Sequence, residues 1–280
     1  MASILRQPLK LGRLTLQSPA LLAPLESVTD CGYRNLCYAN GAGITFTEMV
    51  RASAVGNGNS ATLAVLDTFD SGTMTGMQMT AKTPTELRMA LEKLDELART
   101  DEYQHFRNIR AIDLNFGCPS PTIINIGCGP AMLKRRAKMR ELFDVLVMFR
   151  DATLSGGVGG KQGGLMIGAI SAKIRLGMSQ KEKGDDRVYL GVIESAVEAG
   201  LDFCTVHGRH AKQTSTDLPD WGSIGECVEL ARQCRSENSN SSSEGLKIIG
   251  NGNVFDYESA SRMVNETGVD GVMIARGEMM

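Results

Sequence analysis

The segment "AIDLNFGCPSPTIINIGCGPAMLK", residues 111–134, passes from an apolar run into a loop broken by glycine and proline, and sets a thiol, Cys118, between Gly117 and Pro119. A cysteine with an ordinary pKa of about 8.5 is mostly protonated at neutral pH, so it can donate a proton as readily as it can be activated to attack. No base stands beside it in the local sequence, which favours proton donation, with an inert loop thiol as the bland alternative. Cys128, in "GCGP", reads as packing. Lys173, in "SAKIRL", alternates to the same side as Arg175, where a buried ammonium needs an electron-rich ring, a phosphate or a carboxylate such as Glu48 or Asp113. His207 and Arg209 close the run "FCTVHGR". "IIGNGNV" and "VMIARGE" put the backbone N–H groups of Gly250, Gly252 and Gly277 beside Asn251 and Arg276, which suits a phosphate; plain tight turns are the other reading.

These residues must be positioned by something, and the pattern around them is regular. Short apolar runs bounded by Gly, Pro or Asn alternate with segments of helical spacing, which predicts strands at 20–24, 43–49, 72–79, 111–116, 170–176, 203–209, 246–252 and 271–277. Eight strands alternating with helices predict an α/β fold of the TIM (β/α)8 type, ending after its eighth strand. Active sites in such barrels gather at the C-terminal strand ends. Glu26, Glu48, Gln78, Asn115, Cys118, Lys173, Arg175, His207, Arg209, Asn251 and Arg276 all fall there.

At 280 residues and 42% apolar the chain can bury a large core, and it reads as one domain, residues 1–280. The seven cysteines are scattered without CxxC pairs, so neither a disulfide framework nor a metal site is expected. With 30 Lys and Arg against 32 Asp and Glu, the net charge of −2 gives no global sign of a nucleic-acid partner. No export signal or membrane span is legible, and a cytoplasmic monomer is expected. Two segments, 155–164 and 236–245, read as flexible insertions; in the first, Gly160-Lys161 is followed by Gln162, which rules against a phosphate loop.

The ordered set "LLAPLESVTD", "TEMV", "DLNFGCPS", "GCGPAMLK", "AKIRLG", "TVHGR", "DW", "GNGNV" and "DGVMIARG" resembles the tRNA-dihydrouridine synthases, FMN-dependent TIM barrels, over nearly the whole chain. Glu26 and the "CPS" segment look most similar to the family's bacterial C-type branch. The resemblance implies that the C5=C6 bond of a tRNA uridine is reduced, with hydride from NADPH by way of FMN and a proton from Cys118. It further implies a substrate contact at Asn115, while Arg209 and Lys212 in the strand-six loop are candidates to contact the RNA substrate. FMN would be held by Pro24, Leu25, Glu26, Gln78, Lys173, His207, Asn251, Gly252, Asn253, Ala275 and Arg276. Family members usually carry glycine where this chain has Ser27. They also continue into a helical tRNA-cradling domain, whereas this sequence stops after the strand-eight motif, so it is expected to be either a fragment or a barrel lacking that arm. The basic run "KRRAKMR", 134–140, is then a candidate RNA patch. Competing readings are a small-molecule flavin reductase of the dihydroorotate dehydrogenase type and a non-catalytic tRNA-binding remnant.

Overall fold

Short runs rich in β-branched and other apolar side chains form eight parallel strands in the computed structural model, which describes residues 4–68, 72–237 and 245–279. They are β1 (Ala20–Leu22), β2 (Thr45–Phe46), β3 (Thr75–Thr80), β4 (Ile109–Phe116), β5 (Ala169–Arg175), β6 (Phe203–His207), β7 (Lys247–Asn251) and β8 (Gly271–Ile274). Neighbours pair in chain order from β2 through β8, β8 pairs β1, and a parallel bridge between Leu21 and Ile44 closes the ring. The closing contacts are Leu22 N–H to the Ile44 carbonyl at 3.0 Å and Gly43 N–H to the Ala20 carbonyl at 2.8 Å. The fold is therefore the expected TIM barrel, with helices outside its strands. Predicted strand two is shorter than 43–49, because a second short strand, Val50–Arg51, peels off to pair beside the end of β3.

Some helices start where the sequence supplies caps. Thr83 and Glu86 make a reciprocal capping box ahead of Pro84–Leu97, and Asp256 with Ser259 does the same for Tyr257–Thr267. Their apolar faces join strand residues such as Ile112, Leu114, Ile170 and Val206 in the main core.

The barrel interior is divided along its axis. Leu21, Ile44, Phe46, Ala111, Ala169, Phe203, Ile249 and Met273 fill it with apolar atoms. A hairpin of Leu9–Leu11 and Leu14–Leu16 adds four buried leucines to that cluster and plugs the N-terminal end. Its "LKLGRLTL" alternation was legible as a hairpin, yet the sequence reading assigned it no element. The polar inward residues are thereby confined to the opposite, C-terminal mouth.

One other expectation changes. The glycine-rich segment 155–164 is tied down at its end: Arg99 donates to the carbonyls of Lys161 (2.7 Å) and Gln162 (3.2 Å), and the next amide, Leu165 N–H, reaches Asp95 at 2.9 Å. Composition could not reveal those anchors because they sit more than fifty residues away. The second predicted insertion, 236–245, lies mostly outside the described residues.

Ser27 sits at φ 59°, in the left-handed region that glycine occupies without strain. Glu48 holds it there by accepting from Ser27 N–H at 2.8 Å. Ser27→Gly should therefore raise stability by up to about 1 kcal/mol, the strain relieved less the extra entropy of an unfolded glycine. Thermal unfolding would register this as a rise of roughly 2–4 °C for a chain of this size. A lower melting temperature would show that the serine is unstrained.

Candidate functional site

The last inward residues of β4 and the loop after it build the first half of the site. Asn115, buried at the end of β4, accepts two backbone N–H groups through Oδ1, from Gly117 at 3.0 Å and Cys118 at 2.8 Å. Side-chain turns of this kind give loop amides a partner where no sheet ladder reaches them. From the other side, Arg175 Nε donates to the Gly117 carbonyl at 2.9 Å, while its Nη1 holds the His210 carbonyl at 3.1 Å. The Cys118 carbonyl is packed against Gly129, where a Cβ would come within 2.9 Å of it. That close approach, with φ 61° at Gly129, explains the glycine in "GCGP". Cys118 is thus half-buried on a rigid loop. Cys128 is buried, and burial raises its pKa despite a hydrogen bond with Thr80, which fits its reading as packing.

Below the loop lies a polar chain. Asn115 Nδ2 donates to Gln78 Oε1 at 2.8 Å, Gln78 Nε2 to Asp113 Oδ2 at 2.7 Å, and Ser171 Oγ to Asp113 Oδ1 at 2.6 Å. Asp113 is 1% exposed, and burial pushes its carboxyl up to about 6, with the bonds from Ser171 and Gln78 and the charge of Lys173 pulling the other way.

Lys173, paired in register with Asn115 and Thr205, is the inward residue of β5 next to this chain. Burial, then the like charge of Arg175, lowers its pKa to about 8, and Asp113 and Cys118 act in the opposite sense. Among the described residues it forms no ion pair: Asp113 is taken by Gln78 and Ser171, and Glu48 binds Ser27 N–H. The carboxylate reading of Lys173 is therefore a nearby charge, not a contact. Beside it Thr205 Oγ1 is buried without a hydrogen-bond partner.

His207 ends β6. Burial and the four cations Lys173, Arg175, Arg209 and Arg276 hold its pKa well below 6.5, so it is neutral. Arg209 Nη1 lies 3.1 Å from His207 Nε2, and a guanidinium only donates, so the proton is on Nδ1. Gly252, at φ 119°, leaves the space this ring needs, since a Cβ there would meet it at 3.1 Å. Asn251 Nδ2 binds the Met273 carbonyl at 2.7 Å, and Trp221 Nε1 binds the Gly252 carbonyl at 3.0 Å, so the "DW" tryptophan locks the strand-seven turn. Asn253 Oδ1 accepts from both Arg209 (2.9 Å) and Arg276 (3.1 Å), joining the last three strand ends. Arg276 also stacks over Phe255 at 5.3 Å.

The mouth thus gathers four cations round a neutral histidine, with one buried carboxylate beneath. An unpaired ammonium, an orphaned hydroxyl and glycine turns flanked by arginine fit a phosphorylated, electron-accepting ring compound. Leu25 and Ala275 pack on the interior cluster at the same end, Pro24 is half-buried, and Glu26 is exposed.

Arg209 is placed differently from the expectation of a substrate contact. It is 2% exposed, and besides His207 and Asn253 it binds the carbonyls of Asp217 (Nε, 2.8 Å) and Ser215 (3.3 Å). It therefore braces the loop after β6. The run "KRRAKMR" is also less basic than it reads: Lys134 pairs with Glu182 and Asp186, Arg136 with Glu194, and Arg140 with Asp144 and Glu198. Three of its five cations are thus paired, mostly to acids on later helices that local sequence could not show. Asp113, Ser171 and Thr205 were missed as site residues, though their two-residue spacing from Asn115, Lys173 and His207 put them on the same inward face.

Among the described residues no cluster of three or more His, Cys, Asp or Glu could hold a metal, and no helix is long and apolar enough to cross a membrane. A family model described as dihydrouridine synthase matches residues 21–280. Curated relatives include a human "tRNA-dihydrouridine(47) synthase [NAD(P)(+)]-like", 26% identical over 98% of this chain and 36% of its own length. The Cryptococcus neoformans tRNA-dihydrouridine(47) synthase [NAD(P)(+)] is 27% identical over 96% of this chain and 33% of its own. The chain spans about a third of the length of these relatives. Solved structures of similar fold include histamine dehydrogenase from Rhizobium sp. 4-9 (TM-score 0.63, 12% identity, 98% of this chain and 46% of that one). DHODH from Eimeria tenella is another (TM-score 0.61, 12% identity, 98% and 80%).

Proposed function

Since this chain belongs to the dihydrouridine synthase family, its match covering residues 21–280, we propose that it is an FMN-dependent tRNA-dihydrouridine synthase that reduces the C5=C6 bond of a uridine in tRNA. The observation that carries this reading is the company of Cys118: a thiol on a loop gripped by Asn115 and Arg175, at the rim of a barrel mouth where four cations surround a neutral histidine. Bound in that mouth, FMN would supply a hydride to C6 of the uracil after receiving one from NADPH.

The chain's own residues do the rest. Asn253 and Arg276, with the Gly252 turn, would hold the phosphate. Lys173 and Gln78 would meet the polar edge of the ring, the ammonium favouring negative charge there. Pro24, Leu25, Glu26, Asn251 and Ala275 would line the same mouth, and His207, neutral with its proton on Nδ1, would offer a donor without adding charge. Asn115 keeps one amide hydrogen beyond its bond to Gln78, and that hydrogen could meet a uracil carbonyl. Cys118 gives its proton to C5; the thiolate left behind regains one from water, which closes the proton balance. The uracil must leave the tRNA stack to reach a thiol at the barrel rim.

The exposed Arg135 and the half-buried Lys138 would face the RNA backbone. The reading is of one catalytic barrel acting as a cytoplasmic monomer, and seven scattered cysteines without CxxC spacing suit a reducing compartment. The decisive test supplies the chain with FMN, NADPH and unmodified tRNA and measures dihydrouridine by mass spectrometry. Product dependent on all three is expected. Oxidation of NADPH by a free pyrimidine but not by tRNA would overturn the reading.

A further inference from the structure

We infer that Asp113 is a positioning residue that decides which atom Asn115 presents to the Cys118 loop, through Gln78. The inference rests on the reading of Cys118 as the proton donor, but its geometry stands by itself. Two backbone N–H groups, from Gly117 and Cys118, converge on one side-chain atom of Asn115, and only the amide oxygen can accept them. The Asn115 nitrogen must then face Gln78, so Gln78 must turn its oxygen to Asn115 and its nitrogen away. That nitrogen ends on Asp113 Oδ2, while Oδ1 is taken by Ser171, so both carboxylate oxygens accept.

The chain has one polarity, and Asp113 sets it. With an apolar side chain at 113, Gln78 either leaves a buried nitrogen unpaired or flips, bringing its nitrogen against that of Asn115. Relief of that clash turns the Asn115 nitrogen toward the two loop amides, where nothing accepts them. Gln78, Asp113 and Asn115 are 1%, 1% and 7% exposed, so little water can step in. Asparagine at 113 is different: its oxygen can still accept from Gln78 and its nitrogen can donate to Ser171 Oγ. The role therefore needs an acceptor aimed at Gln78, not a charge.

Hydrogen–deuterium exchange of the Gly117 and Cys118 amides in the full chain tests this without substrate or turnover. A failed result would thus count against the positioning role and leave the proton-donor reading to its own test. Asp113→Leu should speed exchange at these two amides by on the order of tenfold, which corresponds to about 1.4 kcal/mol. Gln78→Met should do the same, and it carries the test if Asp113→Leu does not fold by circular dichroism. Asp113→Asn should restore near wild-type protection, and Ser171→Ala, which leaves the Gln78 link intact, should barely alter it. Unchanged exchange in a folded Asp113→Leu or Gln78→Met protein would overturn the inference. So would an Asp113→Asn protein as loose as the leucine variant, or a Ser171→Ala protein loosened equally, since either would reduce the chain to general core packing.

Discussion

If the proposed function holds, replacing Cys118 by alanine should slow dihydrouridine formation in tRNA by on the order of 10²-fold or more, the usual worth of a positioned proton donor, while FMN content and NADPH consumption in the absence of tRNA should stay near wild type. The expectation follows from where the thiol stands. Its backbone is fixed by Asn115 on one side and by Arg175, through Gly117, on the other, and neither bond involves the sulfur. Removing Sγ therefore deletes the proton and leaves the loop. Cys128→Ala is the matched control: its thiol is buried against Thr80 under the loop, so the substitution should lower thermal stability and leave the rate per folded molecule unchanged. Single-turnover product formation with unmodified tRNA separates the two. A Cys118→Ala enzyme as fast as wild type, with Cys128→Ala slow, would mean that the proton comes from the other cysteine.

What the sequence could show of this site depended on how local the signal was. The strands were legible because each is a short apolar run with its own boundaries, and the site face because β5 alternates Ser171, Lys173 and Arg175. Cys118 stood out through its neighbours, glycine and proline. Partners were a different matter. That Arg175 would reach the Gly117 carbonyl, fifty-eight positions away, or that Asp113 would meet Gln78 across a strand pair, depends on register that only the closed barrel fixes. The same limit misled the reading of Arg209. At a strand end it looks like an arm toward substrate, yet the loop after β6 folds back over it and takes its donors through the Ser215 and Asp217 carbonyls. "KRRAKMR" reads as more basic than it is for a related reason: apart from Asp144 on its own helix, the acids that pair with Lys134, Arg136 and Arg140 lie on or between Gln180–Gly184 and Val188–Ala199, the helices that follow β5.

Lys173 is where the electrostatics of the mouth can be measured directly. Burial and Arg175 hold its pKa at about 8 in the protein alone, well below the ordinary lysine value. A lysine depressed in this way binds fewer protons folded than unfolded between about pH 8 and pH 10.4, so the unliganded protein gains stability as pH rises through that window. Binding FMN should do the reverse. An electron-rich ring edge beside the ammonium draws its pKa back up, so binding takes up a proton at Lys173, and affinity should fall above pH 8. If the bound value returns to about 10.4, the loss near pH 9 is about tenfold. Lys173→Met removes the contact as well as the titration: affinity should drop roughly 10- to 150-fold at neutral pH, the worth of a charge-assisted bond of roughly 1.5–3 kcal/mol. Its pH profile should also lose the fall above pH 8, which a general loss of packing would not abolish. Fluorescence titration of FMN at a series of pH values into both proteins decides the matter. Wild-type affinity in the Met variant, or a wild-type profile that stays level to about pH 9.5, would place Lys173 with the structural charges of the barrel instead.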